Sequence, residues 1–256
     1  MRRTSEAVSQ TVILAAGLGA RLSGSEGIPK PLLHVAGLPL VAHALAHAAA
    51  SGCSEAVIVV GHESERVRAA VETITATAPP ILRLGITFVE NPDFTTPNGQ
   101  SLLATERVVH DRFFLQMVDH LFAEPVLRRL ASAPLDARTS ARVLIDRAPV
   151  NLDLSDATKV RLDGDRVVAI GKAVDPWDAI DAGCFLLTPA VFDALRRVPP
   201  LEPCTVSSAM RQLIERRAVA AEELAGVRWM DVDTPADRAE AERLLATSQA
   251  GIVSGV

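Results

Sequence analysis

The sequence predicts an α/β protein with a mostly parallel central sheet flanked by helices. Three apolar runs carry this prediction, at residues 11–15 (TVILA), 55–60 (EAVIVV) and 113–118 (FFLQMV), because each has the length and composition of a strand buried on both faces. Helical patterns separate these runs, and strands that alternate with helices form parallel sheets. We therefore expect the carboxyl ends of the strands to lie along one edge.

The remaining elements follow from local periodicity and breaker residues. The first half is expected to contain a helix over 39–50 that ends at Gly52, a helix over 63–71, an extended segment over 86–89 and a helix over 99–109. The second half has shorter strand-like runs at 142–145, 159–162, 166–170 and 184–187, with a hairpin turn at Asp163-Gly164-Asp165. Helices are predicted over 206–217 and, after the cap Asp233-Thr234, over 235–246. A smaller mixed β region thus follows the parallel one.

These elements predict one domain over residues 1–247, with halves at about 10–130 and 131–247. Residues 248–256 are small and weakly polar, and we expect a linker-like tail there, as in a domain joined to a longer chain.

Bulk composition narrows the class of protein. The net charge of −5 argues against a nucleic acid or an anionic membrane as partner. No apolar run approaches the roughly 20 residues that span a bilayer. Cys53, Cys184 and Cys204 have no CxxC spacing, so we expect buried thiols in a cytoplasmic protein.

Lysine is rare in this chain. It occurs three times among 26 basic residues, as Lys30, Lys159 and Lys172, and arginine supplies the rest. A lysine retained among arginines is a candidate for a site that needs a compact ammonium, although three incidental surface lysines are the alternative.

Two motifs near the amino terminus indicate phosphate binding. Residues 14–22 (LAAGLGARL) follow the first strand, and glycines there let backbone N–H groups approach a phosphate chain, with Arg21 adding charge. Leu22 stands where a dinucleotide fingerprint has its third glycine, and no Gly-Lys-Ser/Thr of a P-loop is present. In Pro29-Lys30-Pro31-Leu32 the prolines are expected to keep Lys30 in a stiff, extended segment.

Together, LAAGxGxRL and PKPL resemble the nucleotidyltransferases of sugar-nucleotide and CDP-alcohol synthesis, of the MobA-like superfamily. The resemblance covers about residues 11–246. It is closest to inositol-1-phosphate cytidylyltransferase domains and also fits phosphonate cytidylyltransferases, such as the cytidylyltransferase domain of the bifunctional enzyme of fosfomycin synthesis. The stretches that narrow it are NGQSLL (98–103), FFLQMVDH (113–120), DATKV (156–160), IGK (170–172), DAGCFLL (181–187) and WMDVDT (229–234).

The resemblance implies a Rossmann-like, GT-A-like fold and transfer of CMP from CTP to a small phosphate or phosphonate acceptor. Arg21 would hold the leaving phosphates and Lys30 the α-phosphate. The residues implied in nucleotide binding are Leu14, Ala15, Ala16, Gly17, Gly19, Asn98, Gly99 and Ser101. For Ser101 a plain helix N-cap is the alternative.

The resemblance also implies a Mg²⁺ site at Asp119 and Asp233, since magnesium takes one or two protein carboxylates together with phosphate oxygens and waters. Asp231 points the same way as Asp233 in an extended segment, so it either assists or braces the site. The alternatives are a turn role for Asp119 and a helix cap for Asp233.

On the acceptor side the resemblance implies Lys172, Lys159, Asp181 and Gly183. Motif similarity favours inositol 1-phosphate, which would give CDP-inositol, or another sugar phosphate. The arginine-rich composition and the linker-like tail favour 2-hydroxyethylphosphonate, which we take as the expected acceptor. A fused second catalytic domain and a homodimer stay open.

Two other classes remain as alternatives. A catalytically silent regulatory subunit would usually have lost an aspartate or lysine of the set. A dinucleotide-binding oxidoreductase would need an acidic residue near position 35, where Val35-Ala36-Gly37 stands.

Three further side chains are expected to be structural. His120 is predicted to support the site or lie at the surface, rather than act as a base. His43 and His47, spaced i, i+4, favour a packed or solvated helix face over a metal site, and Trp229 favours core packing.

Overall fold

A computed structural model describes residues 8–19, 27–77, 84–132, 135–136, 138–150 and 152–253, with side chains to residue 246. A nine-stranded mixed sheet lies at its centre, with helices on both faces. In this part of the chain, no helix combines the length and hydropathy that a membrane span requires.

The strands are β1 (Gln10–Leu14), β2 (His34–Val35), β3 (Leu38–Pro39), β4 (Glu55–Val60), β5 (Gly85–Glu90), β6 (Phe113–Met117), β7 (His120–Phe122), β8 (Ala141–Asp146), β9 (Lys159–Asp163), β10 (Arg166–Gly171), β11 (Ala179–Leu187), β12 (Val219–Glu223) and β13 (Trp229–Asp231). The helices are α1 (Leu40–Ala50), α2 (Ser64–Thr77), α3 (Asn98–Leu103), α4 (Leu127–Leu130), α5 (Ala190–Arg196), α6 (Val206–Ile214) and α7 (Pro235–Val253).

The predicted parallel half of the sheet is confirmed. Strands β5, β4, β1 and β6 lie side by side and pair in parallel. Leu14 at the end of β1 pairs with Met117 at the end of β6, so the segments leaving both strands emerge together. These segments are the glycine-rich turn and the Asp119 loop.

The mixed half of the sheet begins at β11, which pairs antiparallel with β6 and with β8. It ends in the β9–β10 hairpin, where Gly164 takes a positive φ of 63° as the predicted turn requires. β11 starts five residues before the predicted 184–187 run, at Ala179. Its register shifts between Asp181 and Phe185, so a bulge interrupts the apolar pattern that marks a strand in sequence.

Alternate residues of the central strands pack into two cores. On β1, Ile13 joins the core beneath α1 and α7, whereas Val12 and Leu14 join the core beneath α5 and α6. Every residue of β1 is therefore buried, in agreement with the apolar run from Val12 to Leu14, and the polar side chains of Gln10 and Thr11 form hydrogen bonds.

Three local predictions differ from the structure. Lys30–Leu32 forms a 3₁₀ turn instead of an extended segment, because the φ of proline suits the first turn of a helix as well as an extended chain. The helix predicted over 99–109 ends at Leu103. Helix α7 continues to Val253, into the segment expected to be a linker; no proline stands in its way.

The side chains of His43 and His47 both form hydrogen bonds within the protein, so of the two predicted alternatives the helix face is packed. His43 Nε2 donates to the Val35 carbonyl at 2.8 Å. His47 Nδ1 donates to Gln116 Oε1 at 2.8 Å, and its Nε2 accepts the N–H of Val126 at 2.8 Å. Since both nitrogens of His47 are used by the neutral ring, a second proton on it would face another N–H group.

Burial lowers the pKa of His47 to about 4. The unfolded residue titrates near pH 6.5, so between about pH 6.5 and 4 only the unfolded state binds the proton. We predict that the free energy of unfolding falls as the pH is lowered through this range, by about 2 kcal/mol at pH 5 from this residue.

Urea denaturation at several pH values checks this prediction. The pH dependence should weaken in His47→Gln. It should be unchanged in His34→Gln, because His34 is exposed. Equal pH dependence in His47→Gln and wild type would contradict the prediction.

Candidate active site

Three charged side chains from distant parts of the chain meet at the edge where β1 and β6 end. The ammonium of Lys30 lies 2.5 Å from Asp119 Oδ2 and 2.6 Å from Asp233 Oδ1. Lys30 is 8% exposed, and the two carboxylates are about three-quarters buried. The structure thus brings together three residues that the sequence predicted for one site.

Backbone pairing holds Asp119 and Asp233 close together. Asp119 follows β6, and β7 directly after it pairs antiparallel with β13, so that His120 lies opposite Asp231. The Val232 N–H donates to the Asp119 carbonyl at 3.0 Å. The short β7–β13 ladder therefore carries Asp233 to the side of Asp119, although 114 residues separate them in the sequence.

Lys30 and Asp119 stabilise each other's charged forms. Burial by itself lowers the pKa of Lys30, but Asp119 and Asp233 outweigh it and the net pKa is raised. Burial would raise the pKa of Asp119, yet Lys30 and His120 hold it well below its usual range. Asp119 and Lys30 are therefore charged at neutral pH.

His120 contacts the site through Asp119. Its Nδ1 donates to Asp119 Oδ1 at 2.9 Å, and its ring stacks on Trp229 with centroids 5.6 Å apart. Trp229 is 5% exposed, as predicted, and its indole N–H donates to Asp146 Oδ2 at 2.8 Å. The expectation of a supporting role for His120 agrees with this position.

A cavity of about 380 Å³, here called the glycine-loop cavity, opens over the turn after β1. Its walls contain the predicted nucleotide-binding residues except Gly99, together with Lys30: Leu14, Ala15, Ala16, Gly17, Gly19, Asn98 and Ser101. Gly19 lines the cavity with a positive φ of 57°, a conformation that glycine adopts without strain. Arg21 lies outside the described residues.

Part of the 98–101 segment has an internal role. Gly99 donates its N–H to the Cys204 carbonyl at 3.0 Å, and a Cβ there would lie 2.4 Å from that oxygen. Asn98 Oδ1 accepts the Val206 N–H at 3.0 Å, at the start of α6. Ser101 accepts from Asn91 and does not cap its helix, so the N-cap alternative is wrong. Gly99 is needed for close packing, and its N–H is occupied.

A second cavity, of about 520 Å³, lies on the other side of Asp119 and is called the aspartate cavity. Asn98, Met117, Asp119 and Asp233 border both cavities. Seven aspartates line the aspartate cavity: Asp119, Asp153, Asp156, Asp181, Asp231, Asp233 and Asp237. Asp153, Asp156 and Asp237 had no role predicted from the sequence, although Asp156 begins the DATKV motif; for Asp153 and Asp156 the polar spacing of NLDLSD (151–156) was the available signal.

The predicted acceptor residues occupy different positions in this cavity. Lys172 lines it and forms an ion pair with Asp156. Lys159 is not part of the lining; its ammonium donates to the Lys172 carbonyl at 3.0 Å. Asp181 and Gly183 line the cavity at the bulge of β11.

Burial affects the two inner carboxyls of this cavity. It raises the pKa of Asp181 to about 6, although the Gly183 N–H bonds to its Oδ1 at 2.8 Å. It also raises the pKa of Asp231. Within the described residues, Asp231 does not join Asp119 and Asp233 in a group of three metal-binding side chains.

With this geometry established, comparison with known proteins identifies relatives. A family model described as the MobA-like NTP transferase domain matches residues 11–218. A "Bifunctional IPC transferase and DIPP synthase" of Rubrobacter xylanophilus is 38% identical over 242 residues, 93% of this chain and 52% of that protein. A CMP-5'-(3-aminopropyl)phosphonate synthase of Streptomyces rubellomurinus is 33% identical, over 91% of this chain and 38% of that protein.

Among solved structures, the inositol-1-phosphate CTP transferase from T. maritima superposes with a TM-score of 0.82 at 24% identity, over 96% of this chain and 98% of that one. The predicted Rossmann-like nucleotidyltransferase fold is thereby confirmed. The chain spans about half the length of the bifunctional relatives it matches.

The burial of Lys30 predicts an unequal effect of two lysine substitutions on stability. Lys30→Met leaves two carboxylates facing each other without a cation, so we expect the free energy of unfolding to fall by about 2 kcal/mol or more at pH 7. Lys172→Met is the matched control, because Lys172 is 61% exposed and its ion pair is worth less than about 1 kcal/mol. Urea denaturation of both variants measures the difference, and equal losses would contradict it.

Proposed function

Because the chain belongs to the family of MobA-like NTP transferase domains, we propose that it is a cytidylyltransferase that transfers CMP from CTP to the phosphate of a small polyol. Inositol 1-phosphate is the acceptor we favour. The names of the relatives support both the nucleotide and this class of acceptor.

The observation that carries this proposal is the shared wall of the two cavities. A nucleoside triphosphate in the glycine-loop cavity and an acceptor in the aspartate cavity would meet at Asp119, Asp233 and Lys30. A transferase needs two substrates held in contact at a charged junction, since positioning and charge neutralisation supply most of the rate in phosphoryl chemistry.

The choice of acceptor reverses the preference drawn from the sequence. Composition and the carboxyl-terminal segment favoured 2-hydroxyethylphosphonate. The relative with the higher identity, 38% against 33%, is instead named an IPC transferase, and the similar structure from T. maritima is named an inositol-1-phosphate CTP transferase. The lining of the aspartate cavity agrees, because aspartates accept hydrogen bonds from several hydroxyl groups and a polyol offers more of them.

In the proposed reaction a phosphate oxygen of the acceptor attacks the α-phosphorus of CTP. A new P–O bond forms, the bond from the α-phosphorus to the bridging oxygen breaks, and pyrophosphate leaves. The attacking oxygen is anionic near neutral pH, so the protein supplies no general base. Lys30 lies at the junction, where it would stabilise the charge on the α-phosphate, and Lys172 would bind the acceptor phosphate.

The carboxylates at the junction also fit magnesium. Asp119 and Asp233 approach one ammonium from two sides at 2.5 and 2.6 Å, so they are close enough to share a cation. Both are hard oxygen donors, and one or two carboxylates with phosphate oxygens and waters form a common magnesium site. Bound Mg²⁺ would supply further neutralisation of the triphosphate charge.

A second acceptor class is an aminoalkylphosphonate. One observation favours it: seven aspartates surround a cavity whose single lysine is paired with one of them, and such a surface attracts an ammonium group. The name of the Streptomyces relative contains an acceptor of this kind. A second domain joined to this one is likewise a proposal, drawn from relatives that are about twice as long.

Pyrophosphate release with each nucleoside triphosphate tests the proposed function. We predict that CTP with inositol 1-phosphate gives a kcat/KM at least about tenfold above that with 3-aminopropylphosphonate or 2-hydroxyethylphosphonate. A higher value for the amine would establish the second acceptor class instead. Absence of transfer from every nucleotide to every acceptor would refute the proposed function.

The junction carboxylates give a separate prediction. Asp119→Asn and Asp233→Asn should each lower kcat about 100-fold or more, and should raise the Mg²⁺ concentration that gives half-maximal rate. Asp163→Asn, at the exposed β9–β10 turn, is the control and should change neither quantity. Far-UV circular dichroism checks that each variant is folded. A folded variant with normal turnover and normal magnesium dependence would exclude that aspartate as a ligand.

A further inference from the structure

The Asp119 carboxylate is held at both of its oxygens by different partners. Oδ2 accepts from Lys30 at 2.5 Å, and Oδ1 accepts from His120 Nδ1 at 2.9 Å. A carboxylate bound in this way cannot turn about its own axis without breaking one bond. Its orientation toward the junction of the two cavities therefore depends on His120 as well as on Lys30.

His120 itself is fixed on more than one side. Its ring is nearly parallel to Trp229, at 16° and 5.6 Å between centroids. Gly183, at the bulge of β11, lies so close that a Cβ there would stand 2.3 Å from His120 Cδ2 and 2.5 Å from Nε2. A glycine at this position, with a positive φ of 73°, is what leaves space for the imidazole.

The support of the ring continues away from the site. Trp229 stacks on Phe122 with centroids 6.0 Å apart, and Phe122 stacks on His47 at 5.2 Å. The four rings form a continuous column from helix α1 to Asp119. The indole N–H of Trp229 donates to Asp146 Oδ2, and this hydrogen bond fixes the orientation of the indole within the column.

We propose that His120 is a positioning residue for the transfer reaction: its Nδ1–H holds Asp119 in the orientation that serves the junction, and Gly183 and Trp229 hold its ring. This proposal rests on the proposed function for its kinetic effect. His120 contacts Asp119 and is assigned no contact with reacting atoms. Replacing a side chain that orients a metal-binding carboxylate in this way typically lowers activity 10- to 100-fold.

Two substitutions separate the hydrogen bond from the packing. His120→Phe keeps an aromatic ring on Trp229 and loses the donor, whereas His120→Asn keeps an N–H close to the position of Nδ1. At saturating Mg²⁺, we expect His120→Phe to lower kcat about 10- to 100-fold with KM for both substrates nearly unchanged, and His120→Asn to recover most of the loss. Normal turnover in His120→Phe, or equal loss in both variants, would overturn the proposal.

The contact with Gly183 has its own test. Gly183→Ala should lower kcat about tenfold in the wild-type background, because the methyl group displaces the imidazole, and should add little in a His120→Ala background. An alanine at position 183 is strained by the positive φ in both backgrounds. Any effect of this strain on kcat therefore cancels when the loss in wild type is compared with the loss in His120→Ala. Fully additive effects would show that Gly183 acts without His120 and would overturn this part of the proposal.

A spectroscopic measurement is independent of turnover. Long-range ¹H–¹⁵N spectra of the full chain without metal or nucleotide should show His120 with a proton on Nδ1 at pH 7.5, with the signals assigned by their loss in His120→Asn. An unprotonated Nδ1 would overturn the proposal. If wild type transfers CMP to no acceptor, the proposed function fails, while these spectra still decide whether the bond to Asp119 exists.

Discussion

The site depends on one interaction, the buried ammonium of Lys30 between Asp119 and Asp233. Two carboxylates this close together would repel each other strongly in a partly dehydrated pocket, and a single cation between them makes the arrangement stable. The arrangement also links three distant segments: the 3₁₀ turn at residues 30–32, the loop after β6 and the segment before α7. The site uses one of the three lysines of an arginine-rich chain, and its compact ammonium contacts one oxygen of each carboxylate.

Packing around this cluster explains why it holds its geometry. The β7–β13 ladder fixes the backbone beside both carboxylates, and the column of rings that ends at His120 fills the space behind them. Gly183 belongs to the same frame, because only a residue without a side chain leaves room for the imidazole. Helix α1 is thus connected to the site, because His47 stacks on the first of the rings that lead to His120.

Charge is distributed unequally over the two cavities. The glycine-loop cavity combines backbone and Lys30 with the two shared carboxylates of Asp119 and Asp233, whereas the aspartate cavity is lined by seven carboxylates and one lysine. An acceptor suited to this second surface carries several hydrogen-bond donors or a positive charge in addition to its phosphate. The acid-rich wall is the feature of this cavity that supports a polyol phosphate over a simple hydroxyalkylphosphonate in the proposed function.

The sequence by itself determined the parallel half of the fold and the strand ends at which the site lies. Burial on both faces requires continuous apolar strands, and residues 55–60 form a strand with the predicted bounds. The resemblance of its motifs to known nucleotidyltransferases added the pairing of Asp119 with Asp233. Only the tertiary structure decided how the selected residues are used: Lys30 binds both aspartates, Gly99 packs on Cys204, Lys159 supports Lys172, and Gly183 adjoins His120. Periodicity reports which face of an element is buried, but contacts between residues far apart in the chain depend on how the crossovers bring those faces together.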